Sequence, residues 1–384
     1  MTEQYLLMMP QKVFSGSNAL EQIETIVKKQ YKKAAVFTDK GVRNSGITDY
    51  PVKILEQCNL DIVVYDELPS EPTCDEAQKV IDEFRKSGAD FIIAMGGGSV
   101  MDVAKLASIT CTDTYSVRDL LDSPLSGKKQ VKTLLIPTTA GTGSEATPNS
   151  IVTVPEKNLK VGIVNPEMLP DAVILDGRML KGLPEKIAAS TGMDALAHAI
   201  ECYTSNKANP FSNLFALEAL KLIFDNIIPA CENRNAVEEK NNMLLAAFYA
   251  GAAITASGTT AVHALSYPLG GRYHIPHGIS NAIMLLPVLK FNRIACRKEF
   301  GQIYDAVTGE RDKKSPDEKA DWILNRIGTI INRLEIPTSL KSFGIGASDL
   351  EALVQDGMEV KRLLNNNKRE VTAADARCIY QEVM

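Results

Sequence analysis

Residues 90–109 read DFIIAMGGGSVMDVAKLASI, and this run decides the fold. A short apolar strand-like segment, 90–96, meets three consecutive glycines, Gly96, Gly97 and Gly98, and passes at once into a stretch with helical apolar spacing. Glycines remove the Cβ atoms that would hold an anion off the backbone, and the N–H groups opening a helix supply donors and a favourable dipole. Strand, glycines and helix in this order open a βα unit suited to a pyrophosphate. The run is not G-x-G-x-x-G, and as a bare pattern it also fits a tight turn; its place between strand and helix favours the phosphate. Ser99 and Asp102 additionally fit a capping box, with Asp in the usual Glu position.

Outward from this run the pattern repeats. AAVFTD (34–39), a helical stretch around 51–58, DIVVYDEL (61–68), a helix over 74–87, the run above and TLLIPTT (133–139) alternate strands with helices. Such alternation predicts a parallel sheet covered by helices, with ligands at the carboxyl ends of its strands. The first of these strands ends at Asp39. There a carboxylate either accepts from ribose hydroxyls and repels a 2′-phosphate, favouring NAD over NADP, or caps the next helix. Glu71 adds to the same negative charge. The run from Pro137 to Glu145, PTTAGTGSE, carries Thr138, Thr139, Thr142 and Ser144 and is the second glycine-rich element at this edge of the sheet. It reads as a lining that closes over a polar cofactor rather than as an ordinary loop. Beyond it, segments holding Asn149 and Lys160 read as paired strands with PEKN (155–158) as their turn. Lys160 alone also fits a surface charge on a strand edge.

From about Pro184 the texture becomes helical, with Pro210, Pro229, Pro287, Pro316 and Pro337 marking expected helix ends. All four histidines of the chain lie here: His198, His263, His274 and His277. Asp194 and His198 are four apart in TGMDALAHAIECY, so they share a helix face. The other three histidines fall in AVHALSYPLGGRYHIPHGISNA, where Pro268 and a glycine pair are expected to break the helix. One Asp-x-x-x-His is ordinarily a charge plus a core histidine. Confinement of every histidine to one segment argues instead for a divalent metal such as Fe²⁺ or Zn²⁺.

Composition sets the outer bounds. With 384 residues, 45% hydrophobic and 23% charged, the chain suits two soluble globular domains. A net charge of −5 and no basic block argue against nucleic acid. No apolar run is long enough for a bilayer, and the start has no signal-peptide pattern. Seven scattered cysteines without a C-x-x-C pair read as reduced thiols of a cytoplasmic protein.

GGGSVMD, PTTAGTGSE, TGMDALAHAIE and His263 followed by Pro276-His277-Gly278 together resemble the iron-containing (group III) alcohol dehydrogenases along essentially the whole chain. That resemblance implies an α/β, Rossmann-like, dinucleotide-binding domain over 1–184, an all-α metal-binding domain over 185–384, and a cleft between them. It implies Asp194, His198, His263 and His277 as ligands of Fe²⁺, with Zn²⁺ or another divalent ion as the alternative. NAD, in preference to NADP, is expected on Asp39, Gly97, Gly98, Ser99, Asp102, Thr138, Thr139, Thr142, Ser144, Thr147, Asn149 and Lys160. The implied reaction is hydride transfer between the nicotinamide and a small aldehyde, ketone or alcohol, in a homodimer or larger homo-oligomer. Many relatives carry a histidine where this chain has Tyr267 and another polar residue where it has His274, so the catalytic proton-transfer role is expected of His274, with Tyr267 as the alternative. Arg272 is either a surface arginine or a contact for an anionic substrate. The alternatives are a glycerol-dehydrogenase-like or dehydroquinate-synthase-like zinc enzyme and a non-catalytic NAD-binding protein.

Overall fold

The computed structural model describes residues 4–112, 114–157, 159–310 and 313–384. The chain forms two compact units, one of Met8–Leu183 with Arg234–Gly251, the other of Met1–Leu7, Pro184–Asn233 and Ala252–Met384. In chain order the first unit contains β1 (Lys12–Ser15), α1 (Gln22–Val27), β2 (Lys33–Phe37), α2 (Lys40–Asn44), α3 (Asp49–Gln57), β3 (Asp61–Tyr65) and α4 (Cys74–Ser87). It continues with β4 (Phe91–Gly96), α5 (Gly98–Ile109), α6 (Val117–Asp122), β5 (Lys132–Pro137), β6 (Asn149–Val154), β7 (Leu159–Val164) and β8 (Ala172–Leu175).

Six strands make one sheet in the order β1-β8-β5-β4-β2-β3, with every pairing parallel. β4 lies between β2 and β5 and is buried at all six positions, which is why it reads as an unbroken apolar run and not as an alternation. α4 covers the sheet with Cys74, Ala77, Ile81 and Phe84, a helical stripe whose Phe84 ring meets Phe37 of β2 edge-on at 5.7 Å. Thr73 and Glu76 form its capping box. The strand order reverses between β2 and β4. The carboxyl ends of those strands, at Asp39 and at Gly97, therefore flank the switch point where open α/β sheets bind ligands.

β6 and β7 form the expected antiparallel pair, Asn149 opposite Val164; Asn158 of the expected turn lies outside the described residues.

The second unit is helical among its described residues: α7 (Glu185–Thr204), α8 (Pro210–Glu232), the end of α9 (Val237–Ser257), α10 (Ala261–Tyr273), α11 (His277–Asn292), α12 (Arg297–Thr308), α13 (Pro316–Arg333), α14 (Leu350–Glu359), α15 (Lys361–Leu364) and α16 (Ala373–Gln381). No single described helix is long and apolar enough to cross a membrane.

Several details differ from the sequence reading. A single cut after 184 misses that the first half of α9 packs with the α/β unit. A Cβ on Gly143 would lie 2.5 Å from the Ala247 carbonyl oxygen, and one on Gly251 would lie 2.4 Å from that of Gly143, so two glycines dock helix on loop. Pro210 and Pro316 open helices as expected, but Pro229, Pro268 and Pro287 lie inside α8, α10 and α11. Each forfeits a backbone bond that packing of the flanking helix offsets. Ser99 and Asp102 make no capping box. The N-cap of α5 is Gly97, so Ser99 falls inside the first turn and accepts from the Glu71 N–H at 3.0 Å.

Candidate metal centre

Asp194 and His198 project from one face of α7, where a four-residue step brings side chains together. His263 lies near the start of α10 and His277 opens α11. Gly278 sets how closely α11 reaches α7: a Cβ there would lie 2.3 Å from the Ser190 carbonyl oxygen, so the helix start rests on α7 backbone. One ligand atom from each of Asp194, His198, His263 and His277 lies within 4.8 Å of the other three. His263 Nε2 stands 2.9 Å from His198 Nε2, and Asp194 Oδ1 stands 3.7 Å from His263 Nε2 and 3.6 Å from His277 Nε2.

Two buried residues that the sequence reading did not single out organise these donors. Glu201, on the same face of α7, receives His263 Nδ1–H together with the N–H groups of Thr260 and Val262 and the Thr260 hydroxyl. That contact holds the imidazole in the tautomer whose Nε2 lone pair faces the cluster. The signal was present as the 194, 198, 201 spacing. Asn281 donates its amide to Asp194 Oδ1 at 2.6 Å and lies 3.1 Å and 3.2 Å from the Nε2 atoms of His263 and His277. Its carbonyl accepts from Ser266. One positively polarised group thus meets three donors at once, so the lone pairs converge where a cation fits.

The charges agree. Burial alone would push the Asp194 carboxyl up, yet His198, His277, His263 and the Asn281 amide outweigh it and hold the carboxyl below its usual range. Glu201 behaves likewise against burial, chiefly through His263. Burial would lower His263, but Glu201 and Asp194 raise it. One carboxylate and three imidazoles suit Fe²⁺, Zn²⁺ and neighbouring divalent ions.

His274 is not among these four groups. It is the exposed, left-handed C-cap of α10 (φ 54°), with its N–H on the Gly270 carbonyl and the Ile275 N–H on that of Leu269. These two bonds terminate a helix in the Schellman manner, favouring a capping role over the catalytic one expected from sequence. His274→Gly is accordingly expected to gain about 1 kcal/mol in a denaturation midpoint, because glycine takes positive φ without strain. Its turnover should stay within roughly threefold of wild type, a change of well under 1 kcal/mol in barrier; a loss of activity would restore the catalytic role. Arg272, the other lead, is bound through Nε and Nη2 to the Asp356 carboxylate at 3.0 Å and 2.6 Å, so its charge is already answered.

In the α/β unit, the strand ends gather most of the expected cofactor residues. α5 opens at Gly97 without a side-chain cap on its first amides, and a Cβ on Gly98 would lie 2.9 Å from the Thr142 side chain, so the 137–145 segment packs closely on the glycine turn. The hydroxyls of Thr38 and Thr138, after β2 and β5, are buried without a hydrogen-bond partner among the described residues. Polar atoms of this kind at a switch point suit a dinucleotide. Asp39 caps α2, accepting from the Val42 N–H at 2.9 Å. Lys160 pairs with Glu71 at 2.6 Å, which answers the charge that Glu71 was expected to contribute. Thr139 and Thr142 are half-buried, and the Thr142 hydroxyl accepts from Ser144 N–H. Asp102, Ser144, Thr147 and Asn149 meet one another through the buried Lys105 ammonium. Sequence reading passed over that lysine.

Residues 10–177 match the family model described as iron-containing alcohol dehydrogenase, and residues 188–384 match its C-terminal counterpart. Long-chain-alcohol dehydrogenase 1 of Geobacillus thermodenitrificans is 34% identical, with 95% of this chain and 93% of that protein covered. 1,3-Propanediol dehydrogenase of Citrobacter freundii is 32% identical over 95% of this chain and 96% of that protein. Among solved structures, sulfoacetaldehyde reductase from Bifidobacterium kashiwanohense in complex with NAD⁺ superposes with a TM-score of 0.89 at 27% identity, covering 100% of this chain and 99% of that one.

Proposed function

The chain belongs to the iron-containing alcohol dehydrogenases, and from that membership we propose that it interconverts a small aldehyde and its alcohol with NAD(H), using Fe²⁺ held by Asp194, His198, His263 and His277. The observation that carries this reading is the convergence of four buried or half-buried donors, with His263 locked by Glu201. A divalent ion at that point supplies Lewis-acid polarisation of a carbonyl oxygen, and the nicotinamide supplies or accepts the hydride. The protein's own part is positioning. Glu201 fixes the His263 ring, the Asp194 carboxylate neutralises positive charge, and the Tyr267 ring, 6.4 Å from His263 and 6.0 Å from His277, covers one flank of the donors with apolar surface.

On the cofactor, we place the pyrophosphate at the amides of Gly97, Gly98 and Ser99, with Thr38 and Thr138 offering their hydroxyls nearby. The Asp39 carboxylate, one oxygen of which caps α2, meets the adenosine ribose with the other and repels a 2′-phosphate. NAD is therefore favoured over NADP. Thr139, Thr142 and Lys160 belong to the nicotinamide side, whereas Asp102, Ser144, Thr147 and Asn149 serve it by holding their segment in place. A homo-oligomer completes the reading, in a reducing, cytoplasmic setting that the seven free cysteines support.

The test is protein purified without oxygen, its metal measured as isolated, assayed with NADH and NADPH against straight-chain and substituted aldehydes. Consumption of NADH in preference to NADPH, in proportion to bound metal, is expected. No turnover by metal-replete protein with either nicotinamide would sink the reading.

A further inference from the structure

Thr260 is the N-cap of α10, yet its side chain makes no cap bond. Thr73 and Thr372, at the starts of α4 and α16, each accept from an N–H three residues on, as threonine ordinarily does at this position. The side chain of Thr260, a residue only 1% exposed, turns the other way and donates its hydroxyl to Glu201 Oε1 at 2.7 Å. Glu201 does the capping instead. The same oxygen accepts from the Thr260, Val262 and His263 N–H groups at 3.0, 2.8 and 3.4 Å, while the other carboxylate oxygen accepts from His263 Nδ1–H. One buried carboxylate is thus divided between the start of α10 and the donor imidazole carried on the first turn of that helix.

The two halves of the carboxylate are held differently. Oε1 is located by three backbone N–H groups, which no side-chain change removes. The turn before them is fixed separately: Asn366 Nδ2 donates to the Thr259 carbonyl at 2.9 Å, Gly258 takes φ 74° beside it, and the Ser257 hydroxyl donates to the Cys202 carbonyl at 3.3 Å. The Thr260 hydroxyl is therefore not needed to place the carboxylate. What it adds is a donor that draws negative charge towards Oε1 and away from Oε2, where that charge would strengthen the bond to His263 Nδ1–H. That bond governs how basic the opposite ring nitrogen, Nε2, is as a ligand atom. We propose that Thr260 is a positioning residue of the metal centre, acting through Glu201 to temper the donor strength of His263. A weaker imidazole donor leaves a bound cation more electron-poor, and so a better polariser of a carbonyl oxygen.

This rests on the metal-dependent reading, and its test separates the two. Thr260→Val removes the hydroxyl at nearly the same shape, and the cap penalty of valine does not apply because the native side chain caps nothing. Thr260→Ser keeps the hydroxyl. Wild type and both variants are stripped of metal and reloaded with Co²⁺ or Zn²⁺. They are compared in metal affinity by competition with a chelating dye, in Co²⁺ absorption spectrum, and in kcat and KM for butanal and NADH. Thr260→Val is expected to bind Zn²⁺ about tenfold more tightly, to shift the Co²⁺ bands, and to lose about tenfold in kcat with the NADH KM within about twofold. Thr260→Ser should bring each quantity back to within about twofold of wild type. Thr260→Ala gives the same comparison if Thr260→Val does not fold. Zinc affinity that falls together with the denaturation midpoint overturns the proposal, because the hydroxyl would then only hold the turn. Affinity, spectrum and kcat all unchanged in Thr260→Val overturn it too, as does Thr260→Ser behaving like Thr260→Val. A wild type that takes up neither ion defeats the underlying reading as well.

Discussion

Asp194→Ala is expected to lower kcat/KM for aldehyde reduction by about a thousandfold or more. Lewis-acid stabilisation of a developing alkoxide contributes several kcal/mol, and each 1.36 kcal/mol is a factor of about ten. Asp194 is the one anion among the four donors and the only one within 3.8 Å of all three imidazoles, so its removal takes both a ligand and the neutralising charge. The variant should therefore be isolated nearly metal-free and stay inactive when Fe²⁺ or Zn²⁺ is added. Glu201→Gln is expected to behave differently, because Glu201 acts only through the orientation and basicity of His263. Loss of such an orienting group typically weakens metal affinity by about 10–100-fold, which excess metal overcomes. NADH binding, followed by nicotinamide fluorescence, should be unchanged in both, since the proposed cofactor residues lie in the other unit. More than about a tenth of wild-type activity in verified metal-free Asp194→Ala would refute a metal-dependent mechanism, since so small a loss is only about 1.4 kcal/mol.

The contrast between those variants mirrors what the sequence discloses. Asp194, His198, His263 and His277 were legible because their residue types are scarce and their spacing is helical. Asn281 was not, and the 194, 198, 201 spacing puts Glu201 on the ligand face without giving its role, because acids and amides are common and that role depends on contacts between α7, α10 and α11. The α/β order was legible because strand and helix periods differ, and β4 was plain because a central parallel strand is apolar on both faces. Pro268 misled for the opposite reason: proline's local penalty is real, but α10 is buried from Ala261 to Leu265 and continues through it. Asp102 looked like a helix cap because the pattern around it is local. Its actual partners, Ser144 and Ile151, are 42 and 49 residues away.

Those distant partners lead to Lys105, whose replacement is expected to have the largest effect on stability. The ammonium is completely buried and donates to the Ser144 hydroxyl at 2.7 Å and the Ser144 carbonyl at 3.0 Å. The Thr147 and Asn149 carbonyls accept from it too, and it lies 3.1 Å from the Asp102 carboxylate. Burial lowers its pKa, and Asp102 opposes that shift. Lys105→Met keeps the length and removes the charge, leaving carbonyls and a carboxylate facing apolar carbon. Breaking a buried pair from one side costs about 3–5 kcal/mol. Lys105→Met with Asp102→Asn together should cost less than the sum of the two, because the second change removes the stranded charge. The deficit also carries a pH signature. Burial raises the Glu145 carboxyl to about 7, against its own backbone N–H and Lys105. A carboxyl raised in the folded state binds its proton more tightly there than in the unfolded chain, so its contribution to stability falls as pH rises from its unfolded value towards its folded one. Without Lys105 the folded value climbs further, and the gap between variant and wild type should widen from pH of about 5 to pH of about 8. Because Lys105 fastens 144–149 to α5, whose first amides are proposed to meet the pyrophosphate, NADH affinity should fall in the same variant. Denaturation midpoints within about 1 kcal/mol of wild type at both pH values would show that this buried network stabilises the unit no more than an apolar core of the same shape.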